Sequence, residues 1–183
     1  MNMSIPQNLK VSILVDYAHE PESMKRLMET LVDFRRRLFF DKIIHIISCD
    51  GAGRDDWKKP ILGMTSYSNA DFSIITTDNY DKDDDPQAIV NMLSVEFPIE
   101  TELKKIESFD GTQKYHKEIN RQRSFEFAID IARKYAELLD EEVKVLIVTT
   151  GIGSEQLMIQ PEGEIERDER VELRKTWTKA LEI

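Results

Sequence analysis

The chain has 183 residues, which suits a single domain (1–183) that buries roughly 70% of the surface of its unfolded form. Its 35 acidic and 25 basic side chains give a net charge of −10, which disfavours nucleic acid as a partner because it repels a phosphate backbone. The single cysteine, Cys49, excludes an intramolecular disulfide. The sequence has neither a signal peptide nor an apolar stretch long enough to span a membrane, so it predicts a cytoplasmic protein without membrane insertion.

The first half of the chain alternates apolar runs with amphipathic stretches. Short apolar runs predict strands, of which the β-branched run Ile43–Ile47 is predicted to be buried on both faces, and apolar residues spaced three and four apart predict helices. The predicted elements are strand Val11–Val15, a helix from residue 21 to about residue 39, strand Ile43–Ile47, a helix within residues 57–70 and strand Phe72–Thr76. In the second helix, Ile61, Leu62 and Met64 are predicted to face inward.

The second half continues the alternation. Asp85 and Pro86 are typical of the N-cap and first position of a helix, whose buried side would carry Ile89, Val90, Leu93 and Phe97. The later elements are strand plus loop over 98–120, a helix from Arg123 to Leu139, strand Val143–Val148, a hairpin around Pro161 to Gly163 and a last helix from about Asp168. The buried side of the Arg123–Leu139 helix is predicted to hold Phe127, Ile131, Tyr135 and Leu138.

This order of elements predicts an α/β fold. Strands that alternate with helices through short links form a mainly parallel sheet with right-handed crossovers and helices on both faces. The prediction is a Rossmann-like three-layer sandwich with antiparallel additions near the C-terminus. We find no internal repeat and no low-complexity linker that would indicate a second domain.

The segment Asp16-Tyr17-Ala18-His19-Glu20-Pro21 follows the first strand directly. In open α/β sheets, ligands bind outside the carboxyl ends of the strands, where Asp16 and His19 would project into the crevice. The alternative is a turn whose polar side chains only satisfy backbone groups.

The loop from Asp50 to Pro60 carries two glycines and nearby positive charge. Gly51 and Gly53 free the backbone to approach an anion, and Arg54 and Lys58 add cationic side chains. The Gly-x-x-x-x-Gly-Lys-Ser/Thr pattern is missing from the chain, so the sequence offers no cradle of its own for ATP phosphates. The alternative is a solvated loop.

Two further segments follow predicted strands. Asp78 and Asn79 come after the third strand and could hold a substrate ammonium, or could form an Asx turn. Gly151-Ile152-Gly153-Ser154-Glu155 follows the last strong strand, where a plain glycine turn would leave Glu155 without a role. The acidic run from Asp81 to Asp85 lacks the glycine and glutamate of an EF-hand, which favours solvated acids over a calcium site.

Together these segments resemble the C-terminal domain of the Mur ligase family, particularly its UDP-N-acetylmuramoyl-tripeptide synthetase branch. The family carries, at matching intervals, Asp-Tyr-Ala-His-x-Pro, a Gly-Gly-Asp-Arg-Asp-Lys-Gly-Lys-Arg-Pro loop, Asp-Asn-Pro-Arg, Gly-Lys-Gly-x-Glu and a closing Asp-Asp-Arg. The matching residues are Asp16, Tyr17, His19 and Pro21; Gly51, Arg54, Asp55, Lys58 and Pro60; Asp78 and Asn79; Gly151, Gly153 and Glu155; and Asp168 and Arg170. The resemblance spans residues 10 to about 181.

The resemblance implies one domain of a larger ATP-dependent enzyme. It would close over ATP and Mg²⁺ held by a central domain, while an N-terminal domain holds a UDP-N-acetylmuramoyl peptide. The residues implied on the nucleotide side are Asp16, Tyr17, His19, Arg54 and Lys58, and those implied for amino-acid binding are Asp78, Asn79, Asp81, Gly151 and Glu155. It implies no metal ligand, no bound cofactor and no catalytic residue acting in this domain alone.

Several positions depart from the family pattern. Ile152 replaces the lysine between two glycines, Gly53 and Asp56 replace an Asp and a Lys, and Tyr80-Asp81 replaces Pro-Arg. In the branch that adds diaminopimelate, that Arg binds the distal carboxylate, so Asp81 favours lysine or another diamino acid with a cationic far end. The alternatives are a catalytically degenerate binding or regulatory module and a folylpolyglutamate-synthase-like ligase domain.

Overall fold

A computed structural model describes residues 4–51, 53, 55–139 and 141–182 of the chain. The strands are β1 (Leu9–Val15), β2 (Lys42–Ile47), β3 (Phe72–Ile75), β4 (Tyr115–Lys117), β5 (Val143–Thr149), β6 (Leu157–Gln160) and β7 (Gly163–Glu166). The helices are α1 (Pro21–Leu38), α2 (Lys59–Asn69), α3 (Pro86–Leu93), α4 (Arg121–Leu138) and α5 (Glu169–Leu181). Within these residues, short 3₁₀ turns occur at Asp56–Lys58, Ile99–Thr101 and Ile106–Ser108.

Five strands form one sheet in the order β1-β5-β2-β3-β4, and each neighbouring pair is parallel. Strands β6 and β7 form a separate antiparallel hairpin. The predicted α/β class with an antiparallel addition near the C-terminus is therefore confirmed. Because the five strands run in one direction, their carboxyl ends meet at a single edge of the sheet.

Helices cover both faces of this sheet. Apolar residues of α1, α2 and α3 pack with Ile43, Ile47 and Ile75 on one face. Residues of α4 and α5 pack with Ile44, Ile46 and Ile74 on the other. Alternate residues of the same strands thus pack into two hydrophobic cores, one on each face of the sheet, which is why the strands are apolar at consecutive positions. None of the described helices is long and apolar enough to cross a membrane.

Local signals account for most helix starts. The side chains of Asp85, Asn120 and Asp168 each accept a hydrogen bond from a backbone N–H in the first turn of α3, α4 and α5. Residues 98–120 contain β4 between loops, as predicted. Helix α4 begins at Arg121 rather than Arg123, because Asn120 is its cap.

Two predicted core positions are wrong. Ile61 is 45% exposed and Leu138 is 48% exposed. The buried stripe of α2 instead runs through Lys59, Leu62, Gly63 and Ser66. A Cβ at Gly63 would lie 1.6 Å from the carbonyl oxygen of Leu93, so α2 and α3 approach too closely for any side chain there. Leu138 is the last residue of α4, and the buried residues of that helix end at Ala136.

Candidate functional site

The loops that follow β1, β2, β3 and β5 gather at the carboxyl edge of the sheet. This is where parallel α/β sheets bind ligands. Side-chain contacts connect these loops in pairs: Tyr17 with Glu155, Ser48 with Asp78, and Glu20 with Lys58. Residues far apart in sequence are thereby brought together. Arg54, which was also expected here, lies outside the described residues.

Tyr17 and Glu155 join the first loop to the last. The Tyr17 hydroxyl donates a 2.5 Å hydrogen bond to Glu155 Oε1, and Tyr17 remains 49% exposed. This bond to Glu155, together with partial burial and nearby carboxylates, raises the pKa of Tyr17. Gly153 has a φ of +60°, and a Cβ there would lie 2.7 Å from the Tyr17 side chain. The glycine therefore allows the two loops to meet.

Asp16 and His19 also shape the first loop. Asp16 Oδ1 accepts a 2.8 Å hydrogen bond from the Ala18 N–H, and His19 Nδ1 lies 2.8 Å from the Tyr17 carbonyl oxygen. Both side chains line an open groove of about 600 Å³ at the start of α1. The turn thus holds its own shape and still presents Tyr17 and His19 to solvent.

Lys58 connects the second loop to the start of α1. Its Nζ lies 2.6 Å from Glu20 Oε1 and 3.4 Å from Asp55 Oδ2, and its side chain is 5% exposed. Burial alone would lower the pKa of Lys58, but the bond to Glu20 raises it above the ordinary value. The cation is therefore kept charged and tied to protein carboxylates.

Asp78 is the most perturbed carboxyl at this edge. It is 3% exposed, and its oxygens accept hydrogen bonds from Ser48 Oγ at 2.8 Å and from the Asn79 N–H at 2.6 Å. Burial, with the nearby negative charge of Asp50, raises the pKa of Asp78 to about 7. Asp78 thus titrates near neutral pH beneath the surface of the site.

The β6–β7 hairpin is fastened to the end of β3. The Ile159 N–H donates to Asn79 Oδ1 at 2.9 Å, and Gln160 Nε2 donates to the Asp78 carbonyl at 3.1 Å. A pocket of about 1100 Å³ lies between this hairpin and the start of α5. Its lining includes Asn79, Glu155, Leu157, Ile159, Glu164 and Glu166. Asn79 and Glu155, both expected in amino-acid binding, therefore line one pocket.

Asp81 lies apart from that lining. Its Oδ1 accepts a 2.8 Å hydrogen bond from the Asp83 N–H, its own N–H donates to Asp84 Oδ2, and the residue is exposed. This is an Asx-type turn before α3. Among the described residues, no three His, Cys, Asp or Glu side chains cluster closely enough to hold a metal ion.

A buried ion pair under the site was not predicted from the sequence. Arg121, at the start of α4, bonds Glu169 at 2.5 and 2.9 Å, and both side chains are almost fully buried. Arg121 also donates to Thr149 Oγ1 and to the Thr150 carbonyl, immediately before Gly151. The pair therefore holds α5 and the Gly151 turn against the end of β5. No sequence motif distinguished these charges from solvated ones.

Gly151 is expected to tolerate no side chain. Its φ is +105°, and a Cβ would lie 2.3 Å from Ser48 Oγ and 2.6 Å from Asp78 Oδ2. Gly151→Ala should lower the free energy of unfolding by about 2–4 kcal/mol, because unfavourable φ and steric overlap add. Urea denaturation checks this, with Gly163→Ala as the control. Gly163 also has positive φ, at +125°, but no atom lies within 4 Å of its added Cβ. Equal losses in the two variants would mean that crowding at Gly151 is unimportant.

Comparisons with known proteins show which family this sequence and fold resemble. A family model described as Mur ligase, glutamate ligase domain, matches residues 3–134. A UDP-N-acetylmuramoyl-L-alanyl-D-glutamate--2,6-diaminopimelate ligase from Clostridioides difficile is 30% identical over 156 residues, covering 85% of this chain and 27% of that protein. The ligase of the same name from Clostridium perfringens is 29% identical, covering 90% of this chain and 28% of that protein.

A solved structure with the same ligase name shares the fold. Its sequence is 21% identical to this chain, and the TM-score is 0.68. The match covers 98% of this chain and 31% of the solved chain. The chain therefore spans between a quarter and a third of the length of these relatives.

Proposed function

The chain belongs to the Mur ligase family, and on that premise we propose that it is the amino-acid-binding, closing domain of an ATP-dependent ligase that adds a diamino acid to UDP-N-acetylmuramoyl-dipeptide in peptidoglycan precursor synthesis. The observation that carries the proposal is the Tyr17–Glu155 contact. It joins the first and fourth family motifs beside a pocket that also contains Asn79 of the third. The names of the related ligases support the reaction class.

The proposal needs further domains. The chain matches 27% of the Clostridioides difficile ligase, so the central and N-terminal Mur ligase domains are proposed as its partners. ATP and Mg²⁺ would be held chiefly by the central domain, because Lys58 here is already engaged by Glu20 and Asp55. Tyr17 and His19 are accessible at the same edge and could contact the nucleotide from this side. ATP supplies the phosphoryl group that activates the peptide carboxylate.

Amide formation by the complete ligase tests the proposal. With ATP, UDP-N-acetylmuramoyl-dipeptide and a diamino acid, Glu155→Gln is expected to lower kcat/KM for the amino acid by about 100-fold, since a charged hydrogen-bond partner is lost. Glu29→Gln, on the exposed face of α1, is the matched control. The isolated chain should neither hydrolyse ATP nor bind it with sub-micromolar affinity in calorimetry. Unchanged kcat/KM in Glu155→Gln, or ATP turnover by the isolated chain, would contradict the proposal.

We propose further that the acceptor has a cationic far end, as lysine or ornithine does. Glu155, Glu164 and Glu166 all line the pocket, where a distal ammonium would be favoured and a distal carboxylate repelled. Asp81 is outside the pocket lining, but it follows Tyr80, whose N–H bonds to the Ile159 carbonyl of the hairpin, and solvent screens its charge because it is exposed. The related proteins are named as diaminopimelate ligases, so the acceptor is the point at which this chain would differ from them.

Lysine should be used in preference to diaminopimelate by about tenfold, which corresponds to about 1.4 kcal/mol. The measurement is kcat/KM of the complete ligase with each amino acid. Asp81→Arg should reduce the preference, while Glu29→Arg on α1 should leave it unchanged. Equal use of diaminopimelate by the unmodified enzyme would refute the assignment of acceptor while leaving the ligase reaction itself intact.

A second candidate function is a binding or regulatory module that retains the fold without the chemistry. It is favoured by Ile152, which stands where the family has lysine and is 1% exposed within the packed turn. Absence of amide formation by the complete polypeptide, with all substrates bound in calorimetry, would favour this candidate.

A further inference from the structure

Arg167 places a positive charge in an otherwise acidic pocket. It lines the pocket of about 1100 Å³ between the β6–β7 hairpin and α5, and it is the only cationic side chain among the described residues that line it. The other charged residues of the lining are all acidic: Glu155, Glu164, Glu166, Asp168 and Glu172. Within the part of the chain that the structure describes, none of these carboxylates forms an ion pair with the Arg167 guanidinium.

The guanidinium of Arg167 is held in place with most of its donors unused. Its Cζ lies over the Phe125 ring, 5.2 Å from the ring centroid. The hydrogen bond that it makes to the described residues runs from Nη2 to Gln122 Oε1 and is long, at 3.4 Å. Its Nε is buried with no partner. Because a guanidinium carries several N–H donors in one plane, this group retains the capacity to bind an anion.

The two most deeply buried arginines of the described residues do have carboxylate partners. Arg121 bonds Glu169, and Arg133 bonds Asp130 at 2.9 Å. Such a partner offsets the cost of removing a charge from water, and Arg167 lacks one. Burial, with the positive charge of Arg121, therefore lowers the pKa of Arg167. An arginine still stays protonated at neutral pH, so its charge remains available to a ligand.

We propose that Arg167 binds the α-carboxylate of the incoming amino acid, with N–H groups of the guanidinium donating to both carboxylate oxygens. The inference rests on the ligase function proposed above. A free amino acid carries an α-carboxylate and at least one ammonium group, and this pocket offers a complement to each. Arg167 lies just before the fifth motif and is not among the residues that match the Mur ligase family.

The surface between these charges suits an aliphatic chain. Leu157 and Ile159 of β6 and Val171 of α5 line the same pocket, and all three are exposed. The Arg167 N–H donates to the Gln156 carbonyl at 2.9 Å, which fixes this residue beside the base of the hairpin. The methylene groups of lysine would cover the apolar side chains, with its carboxylate at Arg167 and its distal ammonium among the acidic residues.

Amino-acid binding by the chain itself tests the inference. In an NMR titration, lysine should shift the Arg167 Nε–Hε resonance and should bind more tightly than cadaverine, which is lysine without its carboxylate. Arg167→Gln should weaken lysine binding by about 10- to 100-fold and leave cadaverine binding unchanged, because only lysine presents the carboxylate. Arg174→Gln, which alters an exposed arginine of α5 outside this pocket, is the matched control. Circular dichroism verifies that the variants are folded.

Kinetics of the complete ligase provide a second measurement. Arg167→Gln should raise KM for lysine by about 10- to 100-fold and change kcat much less, since the contact is made to bound substrate. A residue needed only for folding would instead reduce the amount of active enzyme and leave KM unchanged. Arg167→Lys should recover part of the loss, because it keeps the charge without the planar pair of donors.

Equal lysine affinity in the unmodified chain and in Arg167→Gln would overturn the inference, as would lysine binding no tighter than that of cadaverine. A KM for lysine that Arg167→Gln leaves unchanged would also overturn it, with the ligase function intact. A loss confined to diaminopimelate would contradict it by assigning the guanidinium to a distal carboxylate. Lysine binding that depends on Arg167, without amide formation by the complete ligase, would support the inference and overturn the proposed reaction alone.

Discussion

Removal of either member of the Arg121–Glu169 pair should lower the free energy of unfolding by about 3–5 kcal/mol. The side chains of Arg121 and Glu169 are 1% and 0% exposed. Arg121→Met leaves the Glu169 carboxylate buried without its cation, and Glu169→Leu leaves the guanidinium buried without its anion. A buried charge without an ionic partner has lost its hydration and gained nothing in exchange, so the free energy of unfolding should fall strongly in both single variants.

The double variant Arg121→Met/Glu169→Leu should be more stable than either single variant. Apolar side chains of similar volume remove both desolvation penalties, although the bonds of Arg121 to Thr149 and the Thr150 carbonyl are lost as well. Urea denaturation of the four proteins gives the coupling energy. The exposed Arg26–Glu22 pair on α1, at 75% and 70% exposure, is the control and should show coupling of about 0.5 kcal/mol or less. Additive losses at Arg121 and Glu169 would refute this account.

The architecture was predictable because it depends on burial patterns. Runs such as Ile43–Ile47 are apolar on both faces, and only a central strand of a covered sheet has that environment. Asp85 and Asp168 predicted helix starts because an aspartate side chain can accept a hydrogen bond from a backbone N–H of the first turn. Ile61 was misplaced because periodicity identifies an apolar stripe without showing how closely the next helix approaches. The contact of Gly63 with Leu93 decides the orientation of α2.

The site was predictable only in part, for a different reason. Asp78, Asn79 and Glu155 were candidates because they follow strands of a parallel sheet, whereas Tyr17 was a candidate only through the resemblance to the Mur ligase motifs. Ser48, which bonds Asp78, and the ion pair of Arg121 with Glu169 were missed. Their roles arise from tertiary contacts between segments separated by 30 and 48 positions, and the sequence around them carries no distinguishing spacing.

Asp78 should make the stability of the protein depend on pH below neutrality. Its pKa is about 7 in the folded protein against an ordinary value of 3.8, because burial and the charge of Asp50 disfavour ionisation. The folded state therefore binds this proton more tightly than the unfolded state. Between about pH 4 and pH 7 the unfolded carboxyl is ionised while the folded one still holds its proton, so the free energy of unfolding falls as pH rises through this range. Above pH 7 the Asp78 carboxyl is ionised in both states, so the free energy of unfolding has lost the full cost of burying this charge.

Asp78→Asn should abolish this dependence and stabilise the protein at pH 8. A difference of about 3 pKa units corresponds to about 4 kcal/mol, as an upper limit because the local structure can relax when the group ionises. Asparagine keeps the size of the side chain and the acceptor for the Asn79 N–H, and it removes the buried charge. The measurement is urea denaturation at intervals from pH 4 to pH 8, comparing the unmodified chain with Asp78→Asn and with the control Asp81→Asn, whose carboxyl is exposed. The unmodified chain and the control should lose stability as pH rises, while Asp78→Asn should lose much less. Parallel curves for all three proteins would show that Asp78 is ionised at low pH and that the buried site tolerates its charge.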